Sequence, residues 1–183
     1  MSHRREQPDL PVLIDAEEIR QQVEELGRQI CANRGEDTTP ALIVVGILTG
    51  AFVFLADLVR AISCPVEIDF VSAASYGDST ESSGEVVIRN DLSTDIKGRD
   101  VLVVDGIFDT GATLSAVLQS LELREPKSLK CCVLLDKPAR RRHAEISVDY
   151  IGFAIADEFV VGYGLDFDQR YRNLTSIHRI DST

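Results

Sequence analysis

The stretch "VLVVDGIFDTGATL", Val101 to Leu114, decides how this chain is read. Val101 to Val104 run apolar without a break into Asp105, as a strand buried on both faces does. "DTGAT" (109–113) then leads directly into the helical pattern "TLSAVLQSLEL". Free N–H groups and the helix dipole favour an anion at such a start. Thr110 and Thr113 add hydroxyl donors, and the small Gly111 and Ala112 let a phosphate come close. On these residues alone two readings stand side by side: an anion cradle, or a first turn capped by Asp109 or Thr110. The stretch is neither a Walker loop (G-x-x-x-x-G-K) nor a dinucleotide fingerprint (G-x-G-x-x-G).

Working outward, the same strand-then-helix rhythm repeats. "ALIVVGIL" (41–48) is a buried strand followed after "TG" by the helical "AFVFLADLVRAI" (51–62), and "VEIDFVSAAS" (66–75) is the next strand. "KCCVLLD" (130–136), "VDYIGFAI" (148–155) and "FVVGYG" (159–164) are further strands. Upstream, Ile19, Val23, Leu26 and Ile30 fall on one helical face, Asp15 and Glu18 form a capping box, and the helix stops near Gly35. Residues 75–98 are rich in Ser, Gly, Asp and Thr with one short apolar patch, Val86 to Ile88, and are expected as a functional lid or a disordered segment. The alternation implies an α/β fold with a mainly parallel sheet. Ligands in such sheets bind beyond the carboxyl ends of the strands, which points to "LTGA" (48–51), "DGIFDTGAT" (105–113), "LLDKPARRR" (134–142) and "GLDFD" (164–168).

The totals narrow the function classes. A chain of 183 residues fits one domain with a sizeable core. Its 19 basic and 30 acidic residues leave a net charge of −11, which repels polyanions and argues against nucleic acid as a partner. No run approaches the roughly 18 apolar residues of a membrane span, and the start "MSHRREQPDLPVLI" lacks an apolar signal core, so a cytoplasmic protein is expected. Cys31, Cys64, Cys131 and Cys132 show no C-x-x-C spacing and are expected as reduced thiols. Cys131 and Cys132 alternate faces of a strand as packing residues. His3, His143 and His178 show no metal-ligand spacing, and "RRRHAE" (140–145) is a basic cluster able to meet an anion or a neighbouring subunit, with a solvated loop the favoured reading.

Taken together, "VLVVDGIFDTGATL", "SYGDSTESSGEV", "DLSTDIKGRDVLVVD", "LLDKPARR" and "FVVGYGLDFDQRYRNL" resemble type I phosphoribosyltransferases, and their hypoxanthine-guanine branch in particular. The similarity runs from about Leu42 to Leu174 in the family's order. It implies a single domain over 1–183, with a mainly parallel twisted sheet flanked by helices, a small hood lobe from the N- and C-terminal segments, and a mobile loop at about 75–98. It also implies transfer of 5-phosphoribosyl from phosphoribosyl pyrophosphate to N9 of a 6-oxopurine, with Mg2+, in a homodimer or homotetramer.

The implied roles fall on named residues. Asp109 faces N7 of the purine as general base, while Thr110, Gly111, Ala112 and Thr113 hold the 5-phosphate. Lys137 donates to the purine O6; an ammonium has no acceptor to offer a 6-amino group, so adenine is disfavoured. Phe159 stacks on the base and the Val160 backbone reads its edge. Asp105 serves the ribose hydroxyls and Mg2+, Asp166 a second Mg2+, Arg172 the pyrophosphate, and Gly50 a close turn beside it. Ser75 and Tyr76 begin the closing loop. Two positions depart from the family pattern: Gly106 stands where a second acid is usual, and Thr49 where a basic residue is common. Weaker substrate binding is therefore expected, and Gly106→Asp is expected to improve it. Two other functions share the fold: a nucleotide-sensing regulator without turnover, and an RNA-binding attenuation regulator, which the charge disfavours.

Overall fold

In a computed structural model the described residues are 10–35, 39–75, 86–143 and 146–180. The main sheet has six strands in the order β4-β3-β2-β5-β6-β7: β2 (Leu42–Leu48), β3 (Val66–Ser75), β4 (Val86–Asn90), β5 (Asp100–Phe108), β6 (Ser128–Asp136) and β7 (Tyr150–Ala154). All neighbours are parallel except β3 and β4. The chain is thus α/β with a mostly parallel sheet flanked by helices.

The sheet is sandwiched because its strands alternate. Val44, Leu102, Val104, Cys132 and Leu134 pack toward α1 (Ala16–Ala32) and α2 (Phe52–Ala61). Ile43, Val45, Val101, Val103, Cys131 and Val133 pack on the opposite face with Leu114, Val117 and Leu121 of α3 (Ala112–Glu122). Cys131 and Cys132 therefore do point to opposite faces, both buried. From β2 the chain moves through α2 to β3 on one side; from β5 it moves through α3 to β6 on the other. The direction reverses between β2 and β5, and a crevice opens beyond their carboxyl ends.

The capping box at α1 is present: Asp15 accepts from the amides of Glu17 and Glu18, and Glu18 accepts from the Asp15 amide at 3.0 Å. Two expectations are corrected. "FVVGYG" is not a further element of the main sheet: only Val160–Val161 are extended (β8), because Gly162, Tyr163 and Gly164 all take positive φ. β8 instead joins a separate three-stranded antiparallel sheet with β1 (Val12–Ile14) and β9 (Ile177–Arg179). Nor is 75–98 one loop. Its apolar patch forms edge strand β4, and the turn beyond it is fastened to β3, where Asp69 accepts from the amides of Ser93 and Thr94, each at 2.8 Å. Ile96 is fully buried. Tyr76 and the rest of the polar stretch up to Glu85 lie outside the described residues.

Candidate active site

The crevice between β2 and β5 is a cleft of about 250 Å³, walled by Ile47, Leu48 and Gly50 on one side and by Asp105 and Ile107 to Leu114 on the other. The peptide between Leu48 and Thr49 is cis. Gly111 takes φ 87°, so the chain turns into α3 through a left-handed residue, which glycine adopts without a Cβ penalty. The N-cap of α3 is Gly111, which has no side chain to offer, so neither Asp109 nor Thr110 occupies the N-cap position that one reading of the sequence gave them. The hydroxyl of Thr110 meets only the Ala112 amide, at 3.4 Å. The N-cap of α2, Ala51 beside Gly50, likewise makes no side-chain cap bond. Both helix starts adjoin the cleft wall and leave it a field that suits an anion.

Asp109 stands at the end of β5 against the strand that carries Lys137. Lys137 is pinned there by its own amide, which donates to the Phe108 carbonyl at 2.9 Å, and its side chain is only 5% exposed. Its Nζ lies 3.9 Å from Asp109 Oδ2. Arg140 Nε lies 2.7 Å from Asp109 Oδ1. That contact is close but badly aligned, for Oδ1 is buried and accepts no hydrogen bond. One oxygen of the carboxylate thus has charge beside it and no proton directed at it.

The basic run after Lys137 is not a solvated loop. Besides Arg140, Arg141 makes a two-pronged pair with the buried Asp136, at 3.0 and 2.5 Å, and lies 5.0 Å over the Phe108 ring. The Arg142 amide donates to Thr110 O at 3.1 Å. These contacts brace the turn that carries Asp109. Sequence reading missed them because Asp136 looked like one more polar strand end; the signal was a carboxylate five residues before a guanidinium, the reach of one tight turn.

The floor of the cleft is Asp105, whose Oδ1 accepts from the Gly106 amide at 2.7 Å. Burial pushes its carboxyl up to about 7, against the pull of the Gly106 and Ile107 amides. Gly106 itself answers why no second acid is present. A Cβ there would stand 2.9 Å from the Gly50 carbonyl oxygen and 3.1 Å from Leu165 Cδ2. The expected benefit of Gly106→Asp is corrected accordingly, since the new side chain has to push the Gly50 turn aside.

Lys137 stands behind Asp109 and does not itself line this cleft, and neither do the remaining predicted residues. Asp166 accepts from the Gln169 amide at 2.9 Å and pairs with Arg172 at 2.8 Å, so both its oxygens are engaged. Arg172 also donates to the Gly164 carbonyl at 2.8 Å. Phe159 is 45% exposed, edge-on to Phe167 with ring centroids 5.4 Å apart. Val160 is buried in β8, and the Ser75 backbone ends β3. For Mg2+, Asp105 is a fitting donor: the ion takes one or two carboxylates and completes its shell with water and substrate phosphates. Asp166, expected beside a second Mg2+, takes an ion only by giving up one of its two partners. Among the described residues no group of three or more His, Cys, Asp or Glu forms a preformed cage.

These features define a class: an α/β protein with a cleft beside a glycine-turned helix start and a carboxylate–lysine pair at the point where the sheet reverses direction. The sequence matches the phosphoribosyl transferase domain family over residues 13–168. It is 49% identical over 169 residues to the hypoxanthine phosphoribosyltransferase of Escherichia coli strain K12, spanning 92% of this chain and 94% of that one. It is 48% identical over 166 residues to the hypoxanthine-guanine phosphoribosyltransferase of Bacillus subtilis strain 168, spanning 91% and 90%. The crystal structure of a hypoxanthine phosphoribosyltransferase from Staphylococcus aureus superposes with a TM-score of 0.87 at 43% identity, covering 94% of this chain and 92% of that chain. The chain belongs to the phosphoribosyltransferase family.

Proposed function

We propose that this chain moves 5-phosphoribosyl from phosphoribosyl pyrophosphate to N9 of a 6-oxopurine, hypoxanthine or guanine, and releases pyrophosphate, as a cytoplasmic purine salvage enzyme. The relatives' names supply the substrate class. The observation that carries the chemistry is the Asp109 carboxylate on the cleft wall, with the Arg140 guanidinium 2.7 Å from one oxygen and the buried Lys137 ammonium 3.9 Å from the other.

In this reading the 5-phosphate rests on the amides and hydroxyls of Thr110 to Thr113 at the open start of α3. Asp109 accepts the proton from N7 and stabilises the positive charge growing on the ribose. Lys137 donates to O6 from a fixed position, and a 6-amino group facing it leaves both donors unpaired. Phe159 turns from Phe167 to stack on the purine while the Val160 backbone reads the edge. Gly50 approaches the pyrophosphate, which Arg172 also contacts. Asp105 takes the ribose hydroxyls and would hold Mg2+, and Asp166 would serve a second Mg2+. When bound, the ion neutralises charge on the departing pyrophosphate.

The chain as a whole then works as one domain, with the small sheet as a hood over the purine end, residues from Ser75 and Tyr76 onward closing over the reactants, and assembly as a homodimer or homotetramer. A regulator without turnover is not favoured, since relatives at 48–49% identity are named as transferases and Asp109 and Lys137 stand together here.

The test is pyrophosphate release from phosphoribosyl pyrophosphate and Mg2+ with hypoxanthine, guanine, xanthine and adenine in turn. Turnover with 6-oxopurines and none with adenine is expected. Turnover confined to adenine removes the role given to Lys137.

A further inference from the structure

The mechanism above uses none of the cysteines, yet two of them meet. Cys31, in the last turn of α1, and Cys64, just past the end of α2, are 33 residues apart in sequence with their Sγ atoms 2.8 Å apart. Both are free and partly exposed, whereas Cys131 and Cys132 are buried inside the sheet.

The meeting is fixed by packing. α1 and α2 cross so closely that a Cβ on Gly27 would fall 2.6 Å from the Ala61 carbonyl oxygen. Cys31 lies one turn beyond Gly27, and Cys64 three residues beyond Ala61, so the crossing delivers both sulfurs to one spot. A disulfide needs an S–S distance near 2.05 Å, a closure of about 0.8 Å from the contact present.

The two sulfurs are not equivalent. The Cys64 amide donates to Cys31 Sγ at 3.2 Å and the Ser63 hydroxyl approaches it at 3.5 Å. Burial works against the Cys31 thiolate, but these bonds and the Cys64 thiol outweigh it and hold the Cys31 thiol below its ordinary range. Cys64 moves the other way, raised by burial and by Cys31, with Arg34 offsetting part of the rise.

We infer that Cys31 and Cys64 form a redox-reactive dithiol that a small-molecule disulfide oxidises to an intramolecular disulfide. Cys31 thiolate attacks one sulfur of the reagent, R–S–S–R, forming a mixed disulfide and expelling one thiolate. Cys64 then loses its proton and attacks Cys31 Sγ, expelling the second. Two electrons pass from the protein thiols to the reagent, which leaves as two R–SH. The bond closes a loop containing β2, the Gly50 turn and α2, and so stabilises the half of the molecule that carries one wall of the cleft.

The test uses the reduced full-length chain and glutathione disulfide, followed by digestion without reductant and mass spectrometry. Loss of two hydrogens, a peptide linked through Cys31 and Cys64, untouched Cys131 and Cys132, and a thermal midpoint that rises and returns on reduction are expected. Cys64→Ser is expected to stop at a mixed disulfide on Cys31, and Cys31→Ser to react at least about tenfold more slowly. Persistence of both thiols in the wild type, or separate glutathione adducts on each, overturns the proposal. Equal reactivity of the two variants overturns the assignment of Cys31 as the attacking sulfur.

Discussion

The starts of α1 and α3 are built on opposite principles. At α1 the chain supplies its own anion: Asp15 takes two amides and Glu18 reaches back for a third group. At α3 it supplies none: the N-cap is a left-handed glycine without a side-chain acceptor, and the carboxylate two residues before it faces Lys137 and Arg140 instead. A helix needs its first-turn amides satisfied, and where the protein leaves that to something else, a ligand is the natural candidate. Asp69 is a third case of the first kind, a carboxylate spent on the amides of the Ser93–Thr94 turn.

The comparison breaks most sharply at Asp109. Asp109→Asn is expected to leave folding intact and to cut kcat by about 10²–10⁴-fold in the pyrophosphate-release assay. A carboxylate that merely closed off the helix start behaves otherwise, losing stability and keeping most of its rate.

Gly111→Ala puts a cap-neutral side chain where φ is 87° and where a Cβ falls 2.6 Å from Phe108 Cε2. A loss of about 1–3 kcal/mol by urea unfolding is expected. The KM for phosphoribosyl pyrophosphate is expected to rise with it, because the displaced turn is the one proposed to hold the 5-phosphate. An unchanged KM separates the turn from the cradle and removes the α3 half of the comparison.

How much of this was legible beforehand depends on the range of the signal. The capping box and the parallel strands are local patterns, and Asp15 and Val101–Val104 showed them plainly. Gly106 looked like a lost acid because the pressure on it comes from Gly50, more than fifty residues away in the chain. "FVVGYG" carried the composition of a strand, but three successive positive φ angles end it after two residues. The Cys31–Cys64 contact is a tertiary meeting that spacing alone does not reveal.

Asp69 sharpens the comparison through pH. Burial opposes its ionisation, yet the amides of Phe70 and Thr94 and the Ser93 hydroxyl outweigh it, so the carboxyl titrates below its ordinary value. A group depressed in the folded state contributes stability above its unfolded pKa, near 4, and loses it as pH falls through the folded value. Asp69→Asn is therefore expected to cost about 1–3 kcal/mol at pH 7. The gap to wild type should close progressively below about pH 4 in paired thermal melts. A gap that is constant from pH 7 to acid shows that packing, not the charge, matters there.

The smallest effect tests the self-sufficient end of the comparison. Asp15→Ala removes the acceptor for the Glu17 and Glu18 amides, which lie at the surface where water replaces it in part. Loss of an N-cap carboxylate costs about 1 kcal/mol. Since α1 packs on α2 and not on the cleft, kcat and KM are expected to stay at wild-type values while the unfolding midpoint falls. The contrast with Gly111→Ala then becomes a division of labour: one helix start changes stability alone, the other changes stability and substrate binding together. A kinetic change from Asp15→Ala, at constant folded fraction, means that α1 transmits to the site through the α1–α2 crossing, and the two helix starts are then not independent.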